Sequence, residues 1–572
     1  MPLPQLFPGF PQVDVQQTAF SLDAVGRYVC STWDEATLNG GPPFTAVVVG
    51  AGMYGAYCAT KIVRLDPTAR VLLLDAGRFL VSEHVQNLAN IGFNVPGAIP
   101  PASDPGVARE LVWGIPWRGN TDFPGLAYCT GGKSIFWGGW CPRLTVGDLT
   151  HWPAATAQYL VDHYIDVESE IGVVPATDFI FGELGDVLRA ACVNAAALTP
   201  DIETSLGTSG VEIAPLAVQG SPPVSGLFSF DKYSSLPVLV DAIRADVGAS
   251  GGNNAARRLF LVPLAHVIKL HAASGTVHTV EVEAGDQRRF LSLANSAVVV
   301  LAASAVETTR LALQSFPTPL MGRNLMAHVR SDFTVRIRRT ALPPVPGHVQ
   351  TSALLVRGLA PSGRFHVQVT ASTHQQGSDE MLCRMIPDLD VLDAQLLNTD
   401  PDWITITFRG IGEMHGNRST AVPNAVTSWI NLSPFESDEF VAPRAFVHLK
   451  IDAADLQTWQ AMDAAILSLG QRMAGASANI QYRYDNAWQT LPFPLSRPFP
   501  EWHRGLGTTY HEAGTLWMGD NLATSVTNDV GRFHHIDNVY ACDQSIFPTV
   551  GSVNPALTGL ILARRLAEHL TT

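Results

Sequence analysis

Apolar side chains in this sequence fall into two patterns. Residues 45–49 (Thr-Ala-Val-Val-Val) form a short, continuous apolar run, the mark of a strand buried on both faces of a parallel sheet. A helix-compatible stretch follows to about residue 65, and 70–74 (Arg-Val-Leu-Leu-Leu) predicts a second buried strand. Strand, helix and strand within about thirty residues make a βαβ unit. Helical spacing returns over 148–173, with Trp152, Leu160 and Tyr164 on one face. Strands are expected over 259–270 and 276–283, and a third apolar run at 297–301 leads into a helix over 307–314. Between about 330 and 500 the texture changes. Stretches such as 364–370 (Arg-Phe-His-Val-Gln-Val-Thr) and 403–408 alternate, which predicts antiparallel strands with one solvated or ligand-facing side. Residues 505–572 return to Gly-rich turns and end on an apolar helix, 556–570. The Pro- and Gly-punctuated residues 1–44 carry one expected helix, around 22–38, and read as a packing arm.

Within the first βαβ unit, Gly50-Ala-Gly52-Met53-Tyr54-Gly55 sits directly after the strand and opens the helix. That context is what a dinucleotide fingerprint requires. The first glycine permits a tight turn, the second lets backbone N–H groups approach a pyrophosphate, and the third lets helix and strand pack closely. Asp75 ends the next strand some twenty residues beyond Gly55, where a carboxylate can bind the ribose hydroxyls of an adenosine. The motif alone does not separate FAD from NAD.

Composition narrows the class. The chain has 572 residues, enough for several cores, and only 15% are charged, against about 25% in an average soluble protein. Its net charge of -14, from 37 basic and 51 acidic side chains, lacks the basic face of a nucleic-acid binder. Neither does it favour anionic membranes. The seven cysteines (30, 58, 129, 141, 192, 383 and 542) are scattered without C-x-x-C spacing. Buried free thiols are expected, with no disulfide framework and no metal site. No secretory signal is expected in the first residues, and the apolar runs are far shorter than the ~20 residues of a membrane span. A soluble, cytoplasmic protein is the expectation.

The C-terminal block carries a more specific pattern. It comprises His511-Glu-Ala-Gly514-Thr515, Gly531-Arg-Phe, Asn538-Val-Tyr540, Asp543-Gln-Ser545-Ile-Phe-Pro548 and Gly551-Ser-Val-Asn554-Pro555. Together with Asp75-Ala-Gly77, Gly131-Gly132-Lys-Ser134, Trp137-Gly138-Gly139, Ser304-Ala-Val-Glu-Thr308 and Gly322-Arg-Asn-Leu-Met326, in that order, it resembles the glucose–methanol–choline (GMC) family of flavoprotein oxidoreductases. Within that family the blocks around Gly131 and His511 look closest to pyranose-oxidase-like sugar oxidoreductases. The resemblance runs from about residue 45 to the C-terminus and is weakest over 330–500.

This resemblance implies an α/β fold, a Rossmann-type FAD-binding domain interleaved with a substrate domain built on a mostly antiparallel sheet with helices. The expected bounds are an arm at 1–44, the first part of the FAD-binding domain at 45–329 (with substrate region inserted at about 150–255), a substrate domain at 330–504 and a return to the FAD-binding domain at 505–572. It also implies contacts to FAD from Gly50, Gly52, Met53, Tyr54, Gly55, Asp75, Gly132, Ser134, Trp137, Gly138, Val267, Asp543, Asn554 and Pro555. Members that link the flavin covalently carry a histidine immediately before the matching tryptophan. Phe136 stands there, so noncovalent FAD is expected.

Alcohol oxidation needs a base for the hydroxyl proton and a group that orients the reacting carbon over the flavin. Histidine, with an unperturbed pKa near 6.5, suits the first task, and an amide suits the second. The resemblance makes His511 and Asn554 this catalytic pair. A small-molecule alcohol, with a sugar or glycoside hydroxyl among the candidates, would pass its electrons through the flavin to O2 or a quinone-like acceptor. A non-redox lyase or decarboxylase on the same scaffold, or a tailoring enzyme acting on a bulky natural product, remains an alternative. A panel of alcohols tested for anaerobic flavin reduction separates these.

Overall fold

The computed structural model describes residues 29–572 apart from 86–111, 115, 121–125, 175–182, 205–209, 220–230, 346–349, 374–397, 421 and 422. Cys383 and the first part of the helix expected at 22–38 lie outside these residues; Trp33–Thr37 of that helix is described. The elements that position the site are, in chain order, β1 (Ala46–Val49), α1 (Met53–Leu65), β2 (Val71–Leu74), α2 (Ala154–Glu170), β3 (Leu259–Val262), β4 (Ala265–Ala273), β5 (Thr276–Ala284), β6 (Val298–Leu301), α3 (Ala305–Ser315), β7 (His328–Arg338), β8 (Thr351–Ala360), β9 (Gly363–Ser372), β10 (Trp403–Glu413), α4 (Ala453–Ala474), β11 (Val539–Ala541) and α5 (Ala556–Leu570).

The continuous apolar runs form a five-stranded parallel sheet in the order β3-β2-β1-β6-β11. β1, β2 and β3 are buried along their whole length, as strands covered on both faces must be. The chain runs outward from β1 through β2 to β3, then resumes on the other side of β1 with β6 and β11. The carboxyl ends of β1 and β6 therefore flank a topological switch point, where open α/β sheets bind ligands.

The single strand expected over 259–270 is two strands. Pro263 has no N–H to give to a ladder, and Leu264 is left-handed (φ +54). After this break β4 leaves the parallel sheet and pairs antiparallel with β5. The expected helices at 148–173, 307–314 and 556–570 are α2, α3 and α5, with Leu160 and Tyr164 buried on α2.

The alternating region forms an antiparallel sheet of seven strands, ordered Ala487–Gln489, Ile480–Tyr484, β7, β10, β9, β8, Val211–Ile213. Its register divides the side chains cleanly. Phe333 opposes Phe408, which opposes Val369, and this apolar face packs with α4 through Met462 and Ile466. The other face carries Arg330, Asp332 and Thr334 of β7, Thr405, Thr407 and Arg409 of β10, and His366 and Gln368 of β9. Thr405, Thr407, His366 and Gln368 are all buried, so this polar face is a wall inside the molecule and not a solvated surface. The apolar residues form two hydrophobic clusters, one about the parallel sheet and one about the antiparallel sheet. The six described cysteines are all buried. Among the described residues no helix is long and apolar enough to cross a membrane.

Candidate functional site

The turn after β1 is shaped by its glycines. Gly50 is left-handed (φ +98), and a Cβ there would come 2.5 Å from the carbonyl oxygen of Ala302, just past β6. A Cβ on Gly55 would lie 2.0 Å from the Gly50 carbonyl oxygen. Above Gly52 there is open space to 4 Å, and this residue caps α1 without any side-chain hydrogen bond. The first turn of α1 thus presents backbone N–H groups and the positive end of the helix dipole, a ready seat for a diphosphate.

Asp75, just past β2, braces the same turn. Its Oδ2 accepts the Ala51 N–H and its Oδ1 the Gly77 N–H, both at 2.8 Å. Burial lifts its carboxyl to about 6, against the pull of these two bonds. Met53 and Tyr54 open α1; the Met53 carbonyl accepts from Ser235 Oγ, and the Tyr54 hydroxyl accepts from Gln544. Gly132 approaches from the opposite side, where its Cβ would meet Gly52 Cα at 3.1 Å, and the neighbouring Gly131 N–H donates to the Ala51 carbonyl. Ser134 donates to the Gly131 carbonyl, and the Trp137 indole N–H donates to the Tyr233 carbonyl. Gly138 continues this segment, half-buried, and Phe136 packs against the core of the parallel sheet. Val267 lies on β4, whose first N–H, that of Ala265, donates to the Asp75 carbonyl. Asp543 follows β11, capping the Ser545 N–H and accepting from Thr308 Oγ1 at 2.5 Å. Gly50, Gly52, Gly55, Asp75, Gly132 and Asp543 thus gather around the carboxyl ends of β1, β2, β6 and β11.

His511 and Asn554 meet across 43 positions of sequence, with Asn554 Nδ2 3.3 Å from His511 Nε2. The chain beside His511 is fixed by a two-way backbone bridge between Ala513 and Met326, which brings it to the start of β7. Asn554 is placed by the turn that leads into α5, where Pro555 is the N-cap. His511 is buried. Desolvation first, then the nearby His328, His366, Lys133 and Arg330, hold its pKa well below the ordinary histidine value. At neutral pH it is an uncharged base.

Three further side chains complete this centre and had not been singled out in the sequence. His328 Nδ1 lies 2.8 Å from His511 Nδ1, and its Nε2 lies 2.9 Å from the Gly551 carbonyl. Gln368 Nε2 is 3.1 Å from Asn554 Oδ1 and 3.2 Å from His366 Nε2, and His366 Nδ1 bonds the Ser552 carbonyl. The signal for His366 and Gln368 was present: both occupy even positions of an alternating stretch, hence one face of one strand. Beside them Glu512 Oε1 accepts from Lys133 Nζ at 2.6 Å and from Ser304 Oγ at 3.2 Å. Its Oε2 is buried with no protein partner among the described residues, an acceptor left over for a polar ligand group.

A family profile for GMC oxidoreductases matches residues 423–563, which include His511 and Asn554. The fold is similar to that of pyridoxine 4-oxidase from Mesorbium loti, with a TM-score of 0.53, 17% identity, and 92% of this chain and 99% of that one covered. It is also similar to a formate oxidase of Aspergillus oryzae, with a TM-score of 0.57, 14% identity and coverage of 93% and 98%. A 64-residue stretch is 42% identical to 6'''-hydroxyparomomycin C oxidase of Streptomyces lividus, spanning 10% of this chain and 12% of that protein's length. Residues 423–563, the stretch that carries His511 and Asn554, are thus similar to GMC oxidoreductases, and the fold is shared with these two oxidases over more than nine-tenths of the chain.

Proposed function

We propose that this protein binds FAD noncovalently and oxidises an alcohol to a carbonyl, with His511 taking the hydroxyl proton and Asn554 orienting the substrate. The observation that carries this reading is the convergence of the His511 Nε2 atom and the Asn554 amide N–H within 3.3 Å. One hydroxyl set between them donates its proton to the imidazole and accepts from the amide, which fixes the direction of the carbon that bears it. Burial keeps His511 neutral and basic at physiological pH. The fingerprint turn fits FAD because it offers open space above Gly52 beside an uncapped helix N-terminus. Asp75, Gly132 and Asp543 stand around that turn as partners for the rest of the cofactor. When bound, FAD supplies the acceptor for the hydride that leaves the substrate carbon. Phe136, which has no ring nitrogen to bond a flavin, supports noncovalent attachment.

The buried hydroxyls of Thr334, Thr405 and Thr407, on the same sheet face as His366 and Gln368, support a hydroxyl-rich substrate. A sugar or glycoside alcohol meets that description, and dioxygen or a quinone-like acceptor completes the cycle. The FAD-binding residues are assigned to 45–329 and 505–572, and the substrate wall to 330–504. The test is anaerobic titration of the flavin-loaded protein with a panel of sugars, glycosides and simple alcohols. Bleaching of the oxidised flavin band by at least one of them is expected, and acid precipitation should leave a colourless pellet. A flavin that no alcohol reduces while the protein still turns over a non-redox substrate would overturn the reading.

A further inference from the structure

We infer that His328, with Gln368 and His366, are positioning residues that decide which nitrogen of His511 is basic and which end of the Asn554 amide faces it. The inference rests on the proposed role of His511 as base and deepens it. Each hydrogen in the network has one possible place. A carbonyl oxygen can only accept, so the His328 Nε2 that faces Gly551 carries the hydrogen. Burial lowers the pKa of His328 to about 4, so the ring is neutral and its Nδ1 holds a lone pair. The facing Nδ1 of His511, at 2.8 Å, must therefore donate. A neutral His511 with hydrogen on Nδ1 leaves Nε2 free as the base, pointing at Asn554.

The second arm fixes the amide by the same logic. His366 gives its Nδ1–H to the Ser552 carbonyl. Burial holds its pKa down to about 3, so Nε2 is an acceptor and takes one Gln368 N–H. The other Gln368 N–H goes to Asn554 Oδ1, which occupies the amide oxygen and turns the amide nitrogen towards His511. Both arms end on carbonyls of consecutive residues, Gly551 and Ser552, in the turn that carries Asn554. A carbonyl takes no proton onward, so this network orients and does not conduct. When His511 gains its proton, its Nδ1–H still meets a lone pair on His328.

The test compares His328→Leu, which removes the acceptor, with His328→Asn, which returns an oxygen near the Nδ1 position. Charged and titratable groups around His511 (Lys133, Arg330 and His366) are the same in both. Three readouts are taken on each variant: flavin content, the rate of anaerobic flavin reduction by the best alcohol found, and the His511 tautomer from ring 15N and 13C NMR shifts of histidine-labelled protein. His328→Leu should keep its flavin, reduce it roughly 10- to 100-fold more slowly, and show the Nδ1–H tautomer of His511 reduced to a small minority. His328→Asn should recover to within a few-fold of the parent, with one tautomer. An unchanged rate and tautomer in His328→Leu, or a His328→Asn as slow as His328→Leu, overturns the inference. If His328→Leu does not fold, Gln368→Met tests the other arm, with slowed reduction at full flavin content expected and a parental rate contradicting it. The base assignment fails separately: it fails if His511→Ala is as fast as the parent, whatever the His328 variants do.

Discussion

At the scale of single residues, Asp75 has two jobs in one carboxylate. It holds the fingerprint turn through Ala51 and the following turn through Gly77, and the proposed function gives it the adenosine ribose as a further partner. Replacing it with alanine removes a charge-assisted acceptor, typically worth ~1.5–3 kcal/mol. The affinity of the apoprotein for FAD should then fall roughly 10- to 100-fold in a fluorescence titration. Unchanged affinity in Asp75→Ala would show that the backbone of the turn needs no brace and the cofactor no acid. The residues of this centre differ in how visible they were in the sequence. His511 and Asn554 stand inside dense Gly- and Pro-marked blocks, and a turn residue so marked announces a backbone requirement. His328 and His366 sit among other polar residues of alternating strands, where most histidines simply fill a place. Nothing local says that a strand face 183 positions from His511 will end against it.

At the scale of elements, the packing of α1 on β1 depends on missing Cβ atoms, and two glycines separate folding from binding. Gly55→Ala would push a methyl group into the Gly50 carbonyl, so the helix must move off the strand. A loss of about 1–3 kcal/mol in urea unfolding is expected, together with loss of flavin. Gly52→Ala meets nothing within 4 Å and should unfold like the parent to within about 0.5 kcal/mol, yet bind FAD far more weakly because the methyl group occupies the space above the turn. If Gly52→Ala retains parental FAD affinity, the cradle lies elsewhere. The elements themselves were largely legible, because a fully buried parallel strand and a one-face-buried antiparallel strand leave different patterns. The break at Pro263 and Leu264 was harder to read. Apolar residues continue straight through it, and what ends the strand is a backbone angle that no side chain announces.

At the scale of the whole molecule, the site exists only where two hydrophobic clusters meet. The parallel sheet supplies the fingerprint turn, Asp75 and Asp543, and the antiparallel sheet supplies the polar wall with His328, His366 and Gln368. His511 and Asn554 come from the last stretch of chain, which packs between them. The order of motifs along the sequence was enough to expect a cofactor domain with a second sheet set into it. Which face of that second sheet turned inward followed only from its pairing register, since a shift of one residue would have presented Phe333 and Phe408 in place of the polar residues. The proposed chemistry rests on His511 acting as a neutral base, and stopped-flow reduction of bound flavin by an alcohol, followed against pH, tests it most directly. Because only the unprotonated imidazole works and burial holds its pKa down, the parental rate should stay level down to pH 6.5 and fall only in more acid solution. His511→Ala should keep its flavin, reduce it roughly 10²- to 10⁴-fold more slowly and lose that acid limb. Asn554→Ala should be slow but keep the limb, since an amide does not titrate. A His511→Ala protein that reduces its flavin at the parental rate would contradict the account.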